Sequence, residues 1–146
     1  MRVLGIDLGE RTLGLALSDP GRILASALRT IRRTSESKDL EELARVIEEH
    51  EVTEIVVGHP LNMNGSRGPQ AMKAEAFAEL LRERFRLPVQ LWDERLSTVA
   101  AERTLLEADL SRKKRKKVID HVAAAFFLQG FLDSRPKPGR PEEDRS

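Results

Sequence analysis

The sequence predicts an α/β domain with a five-stranded mixed sheet: an antiparallel three-strand meander followed by two parallel strands, flanked by helices. Three observations carry that expectation. The first thirty residues hold three strand-like segments joined by short, turn-forming links. Beyond residue 34 the hydrophobic period changes from about two to about 3.6 residues. From there helix-like and strand-like segments alternate, as strand–helix–strand crossovers require.

Taken in order, Val3, Leu4, Gly5 and Ile6 form an unbroken apolar run, as in a central strand covered on both faces. Leu13, Leu15 and Leu17 alternate with Gly14, Ala16 and Ser18, the period-two pattern of a second strand. Asp19, Pro20 and Gly21 mark a turn, and a third strand is expected over Ile23–Ile31. Thr34 and Ser35 are helix-start residues ahead of the stripe Leu40, Leu43, Val46 and Ile47. Glu54–Gly58 reads as a fourth strand, followed by a loop rich in turn formers from His59 to Pro69. A second helix is expected over Gln70–Arg86, with Met72, Ala76, Leu80 and Leu81 facing inward. Pro88–Trp92 is the fifth strand and Ser97–Ala108 a third helix. A basic run, Arg112–Lys117, then leads into a last helix over Val118–Leu132. The domain is expected to span residues 1–133. The remainder, Ser134–Ser146, combines three prolines with charges and is expected to be disordered.

Composition excludes several function classes. A chain of 146 residues, 40% hydrophobic, suffices for one domain with a real core. The formal net charge is +1, so a nucleic-acid surface must arise from clustering of cations. There is no cysteine, which rules out disulfides and thiolate metal sites. Asp7 interrupts the first apolar stretch too early for a signal-peptide core, and no stretch approaches the ~20 apolar residues of a membrane span. A soluble, cytoplasmic protein is expected.

Topology links this order to function. Strands one and three of a meander point the same way, and crossovers preserve that direction for strands four and five. The carboxyl ends of strands one, four and five therefore share one sheet edge, where active sites of open α/β sheets gather. Asp7 and Glu94 lie at two of those ends and the loop after Gly58 at the third.

Each candidate acid has a plain structural alternative. Asp7 breaks a buried strand, where an uncompensated carboxylate costs several kcal/mol; the alternative is a turn-forming Asp in the Leu8–Arg11 link. Glu94 lies between a strand and a helix, and is either the working acid or a solvated loop acid paired with Arg95; its neighbour Asp93 is an alternative working residue. Asp120 lies on a helix otherwise apolar nearly all round, and is either a functional acid or a partner of the helix dipole. Ala123 and Ala124, the next small residues, let that helix approach the sheet closely. Two carboxylates ~4 Å apart repel by roughly 4 kcal/mol at an effective dielectric of 20. A hard divalent cation removes that penalty, and an all-oxygen donor set selects Mg²⁺ or Mn²⁺. Metal-assisted hydrolysis of a phosphodiester is the expected chemistry.

The surroundings fit that chemistry. Arg112, Lys113, Lys114, Arg115, Lys116 and Lys117 stand just before Asp120, as a solvated linker or a contact for a phosphate backbone. The Gly58–Gly68 loop would cradle a phosphate through its N–H groups and Arg67, or is a plain connection. His59 and His121 are weaker candidates for assisting catalysis. Trp92 reads as core rather than as a base-stacking platform.

Four segments together resemble the YqgF/RuvX family. They are Gly5–Gly9 with Gly14–Asp19, Val57–Gly65, Asp93–Thr98, and Ile119–Ala124, in order along nearly the whole chain. Members are described as nucleases for the 5′ end of precursor 16S rRNA and as Holliday-junction-resolvase-like. The resemblance implies an RNase H-like fold and metal-binding catalytic carboxylates at Asp7, Glu94 and Asp120, which decides for Glu94 over Asp93. It implies precursor rRNA or branched DNA as partner, and leaves monomer or homodimer open. Two departures stand out: Glu10 replaces a small polar residue, and positions 123 and 124 carry alanines where related nucleases often place a fourth acid. The Asp7-to-Gly14 segment also resembles a phosphate loop of actin-like phosphotransferases, which need a second domain. The other rival is a non-catalytic RNA-binding module.

Overall fold

The computed structural model describes residues 1–96 and 112–135, with the backbone alone described for 112–122. Five strands, β1 (Arg2–Leu8), β2 (Thr12–Ser18), β3 (Ala25–Arg32), β4 (Val52–His59) and β5 (Val89–Asp93), form one sheet in the order β3-β2-β1-β4-β5. The meander pairs are antiparallel, while β4 and β5 join parallel to β1, as strand direction predicts. Helices α1 (Glu36–Glu49), α2 (Pro69–Phe85) and α3 (Arg112–Asp133) cover it. The helix expected over Ser97–Ala108 lies outside the described residues, as does the chain beyond Arg135. No helix among the described residues is long and apolar enough to cross a membrane.

The strands separate two cores by alternation. Leu4 and Ile6 of β1, Leu13, Leu15 and Leu17 of β2 and Ile55 and Val57 of β4 pack with Leu43, Phe77 and Leu81 under α1 and α2. Val3, Ala16 and Val56 face the other way, against Ala123, Ala124, Phe127, Leu128 and Phe131 of α3. The period-two pattern of β2 therefore does not separate buried from exposed: Leu13 to Ser18 are all buried. It separates large from small, with Gly14, Ala16 and Ser18 on the α3 side.

Local chemistry moves several boundaries from those expected. Asp19 Oδ1 accepts hydrogen bonds from Ile23 N (2.7 Å) and Leu24 N (3.0 Å), so both residues belong to the turn and β3 begins at Ala25. Helix α1 starts where Ser35 caps it, its hydroxyl accepting from Lys38 N at 3.3 Å. On α2 the inward stripe is Ala71, Ala74, Phe77, Ala78 and Leu81. Met72 (54% exposed) and Ala76 face outward instead of inward, and Leu80 is half-buried. The large ring of Phe77 sets the helix phase and alanines complete the seam. The basic run is not a lead-in to the last helix but its first turns, since α3 begins at Arg112. Just past α3, Ser134 Oγ donates to Phe131 O (2.7 Å) and Arg135 pairs with buried Glu54 (2.6 Å).

Candidate active site

Asp7 sits near the end of β1, half-buried, in step with Val3 and Gly5. Alternation places those two on the α3 side, and so Asp7 as well. Its sheet neighbour is Gly14 of β2, a residue without a side chain to crowd that face.

The Asp93/Glu94 pair is divided by the same alternation. Val89 and Leu91 of β5 join the α1/α2 core, whereas Trp92 packs edge-on against Phe131 of α3, with ring centroids 5.8 Å apart. Asp93 thus belongs to the α1/α2 side, where its ladder partner is His59. Its carboxylate accepts from Arg95 N (2.9 Å), Arg95 Nε (3.1 Å) and Arg95 Nη2 (2.7 Å). The Arg95 guanidinium holds this carboxyl below the usual range, with smaller help from the Arg95 N–H and from His59. Asp93, the last residue of β5, is therefore the acid that pairs with Arg95. Glu94 opens the single 3₁₀ turn Glu94–Leu96 directly after β5.

Asp120 is located by the way α3 lies on the sheet. A Cβ built on Gly5 would sit 3.1 Å from Leu128 Cβ and 3.4 Å from Ala124 O, and one on Gly58 only 2.9 Å from the Phe127 ring. Helix and strands thus meet almost backbone to backbone, as the alanines of α3 predict. Phe127 lies at Gly58 and Arg135 at Glu54, so α3 runs antiparallel to β4 and β1. Asp7 is two residues beyond Gly5, about 7 Å at ~3.3 Å per strand residue. Asp120 is four residues before Ala124, about 6 Å at ~1.5 Å per helix residue. The backbone of Asp120 accordingly comes level with the end of β1. No group of three acidic or histidine side chains that would hold a metal ion forms among the described residues, from which the Asp120 side chain is excluded. The side chains of His121 and of Arg112–Lys117 also lie outside the description.

The β4–α2 loop is a braced unit. Asn62 N donates to Ser66 O (2.9 Å), Gly65 N to Asn62 O (2.8 Å) and Ser66 N to Asn64 Oδ1 (3.0 Å). Gly65 takes φ +85°, which a side chain would resist. These three N–H groups are spent inside the loop. Arg67 is not free either: its Nε donates to both oxygens of Glu75 (3.1 and 2.8 Å), and its Nη2 also donates to Glu75. His59 Nε2 meets Glu75 Oε2 at 2.7 Å. Arg67 first, then His59, depress the Glu75 carboxyl to about 2. On the far side Arg95 Nη1 donates to Met63 O (3.3 Å), tying the loop to the Asp93–Arg95 turn. Sequence reading missed Glu75, because an acid on a charged helix carries no local signal of partners eight and sixteen residues away. It also missed the Asp93–Arg95 pair as the element dividing two adjacent acids.

Known proteins similar to this chain speak for its family and fold. The RuvX family signature, described as Holliday junction resolvase, matches residues 1–134. The chain belongs to the RuvX family. A relative from Desulfitobacterium hafniense (strain DSM 10664 / DCB-2) is 55% identical over 144 residues, covering 98% of this chain and all of the relative. One from Clostridium botulinum (strain Hall) is 53% identical over 137 residues, covering 94% of this chain and all of its own. Both carry the provisional name pre-16S rRNA nuclease. Among solved structures, Thermus thermophilus RuvC in complex with a Holliday junction substrate matches with TM-score 0.56 at 16% identity, covering 92% of this chain and 96% of its own. The fowlpox virus Holliday junction resolvase matches with TM-score 0.52 at 14% identity, covering 92% and 99%. At these identities the two structures speak for the RNase H-like resolvase fold alone. This RuvX protein is a phosphodiester-hydrolysing nuclease, and family membership decides against the phosphotransferase reading.

Proposed function

We propose that Asp7, Glu94 and Asp120 are the catalytic carboxylates and together hold Mg²⁺ or Mn²⁺ at the carboxyl edge of the sheet. The observation that carries this reading is the close seating of α3 on Gly5, which favours Asp120 beside Asp7. Alternation supports the same choice for the third acid, since Asp93 is committed to Arg95 on the opposite side. The donor set fits a hard cation: it is all oxygen, with no thiolate in the chain. When bound, such an ion orients water for in-line attack and stabilises the leaving oxygen. The chain's own contribution is to hold three acids on a rigid strand end, a 3₁₀ turn and a helix, so that their mutual repulsion is set against the cation. Arg112, Lys113, Lys114, Arg115, Lys116 and Lys117 contact the phosphate backbone, and Arg67 joins them from the β4–α2 loop.

The substrate we infer is the 5′ end of precursor 16S rRNA, processed in the cytoplasm during ribosome assembly. The names of relatives above 50% identity favour RNA over branched DNA, for which the structural likeness is at the level of fold. A side-by-side assay with Mn²⁺ on a precursor-rRNA 5′ leader and a four-way DNA junction tests it. Cleavage of the leader at a defined site is expected. Resolution of the junction with the leader untouched would transfer the activity to DNA.

A further inference from the structure

Glu75 lies in the second turn of α2, on neither the strand ends nor the loop that carry the candidate site, yet it touches both. One oxygen meets His59, the last residue of β4, and both meet Arg67, eight residues further along. His59 is the ladder partner of Asp93, and the loop between His59 and Arg67 is tied at Met63 O to Arg95. Glu75 thus closes a ring of contacts that runs from α2 through the loop to the turn holding Glu94. The His59 and Glu75 side chains are 16% and 25% exposed, so the contact is partly shielded from water, while Arg67 at 58% keeps its outer face open.

A carboxylate is a poor neighbour for a polyanionic substrate unless it is neutralised. Arg67 neutralises Glu75, and in return Arg67 is held in one orientation. Nε and Nη2 are committed to Glu75, leaving Nη1 as the nitrogen with no bond to that acid. Long cationic side chains lose much rotamer freedom when they order on a ligand, so an arginine fixed beforehand meets a phosphate at lower entropic cost.

We infer that Glu75 is a positioning residue for the nuclease reaction: by gripping His59 and Arg67 it fixes the β4–α2 loop, and with it the turn that carries Glu94. This rests on the site proposed above.

Two measurements on Glu75→Ala and Glu75→Gln test it. Trypsin cleavage after Arg67, read by mass spectrometry of the native protein, is expected to be about five-fold faster in Glu75→Ala, with Glu75→Gln between that and the parent. With the precursor-rRNA 5′ leader and Mn²⁺, kcat of folded Glu75→Ala is expected to fall about ten-fold or more, with KM changed less than about three-fold and partial rescue by Gln. An unchanged trypsin rate overturns the inference, since Glu75 then does not hold the loop. A lowered KM with kcat intact also overturns it, since Glu75 then screens Arg67 from substrate. Asp7→Asn distinguishes the two levels: cleavage equal to the parent would remove the site itself, while the trypsin result reads the grip on the loop independently.

Discussion

The two faces of the sheet are built from different residues for different ends. Under α1 and α2 the strands present Leu4, Ile6, Leu13, Leu15, Ile55 and Val57, and the helices answer with Leu43, Val46, Phe77 and Leu81. Under α3 they present Gly5, Gly14, Ala16 and Gly58, and the helix answers with Ala123 and Ala124. The first face buries large side chains and supplies hydrophobic stabilisation. The second gives up part of that area for close approach, with Phe127 and Leu128 filling what remains. Close approach is what lets a helix-borne acid come level with a strand-borne one. On the site proposed above, stability and positioning are carried on opposite faces, and substitutions on the two should behave differently.

The largest stability effect belongs to the α1/α2 face. Leu81 is fully buried there, and Leu81→Ala should cost about 2–5 kcal/mol in chemical denaturation. Cleavage per folded molecule should stay near that of the parent. Loss of specific activity greater than the loss of folded protein would show that the two faces are not separable.

A smaller stability effect with a larger functional one is expected on the α3 face. In Gly58→Ala the new Cβ meets the Phe127 ring at 2.9 Å, and Phe127 has no exposed side toward which to give way. Overpacking of this kind costs about 1–3 kcal/mol. If the Phe127 ring carries α3 with it as it gives way, specific cleavage activity should fall further than stability. Full activity in the folded variant would break the link between helix seating and the site.

The same contrast explains what the sequence could and could not disclose. Strand number, order of elements and strand direction were legible because they follow from period, short turns and crossover rules. The α1 stripe was legible because leucine and valine stand out among charges. The phase of α2 was legible only at Leu81, because the rest of its seam is Phe77 and alanines while Met72, an equally conspicuous apolar residue, faces outward. The extent of α3 was hidden for an electrostatic reason: six consecutive cations repel at helical spacing and read as a linker. For the site, Asp7 and Glu94 came to one edge through strand direction alone, and Ala123 and Ala124 foretold the close seating of α3. That Glu75 holds Arg67 and His59 depends on contacts between separate elements that spacing along the chain cannot encode, whereas Asp93 meets Arg95 within one turn, where either neighbouring acid was within reach.

The central claim is that cleavage is carried out at the carboxyl edge beneath α3. It is tested most directly by Mn²⁺-dependent cleavage of the precursor-rRNA leader with purified Asp7→Asn, its folding checked by thermal unfolding. Cleavage falling to background while the unfolding transition is preserved is the predicted result. Cleavage equal to that of the parent would contradict the account.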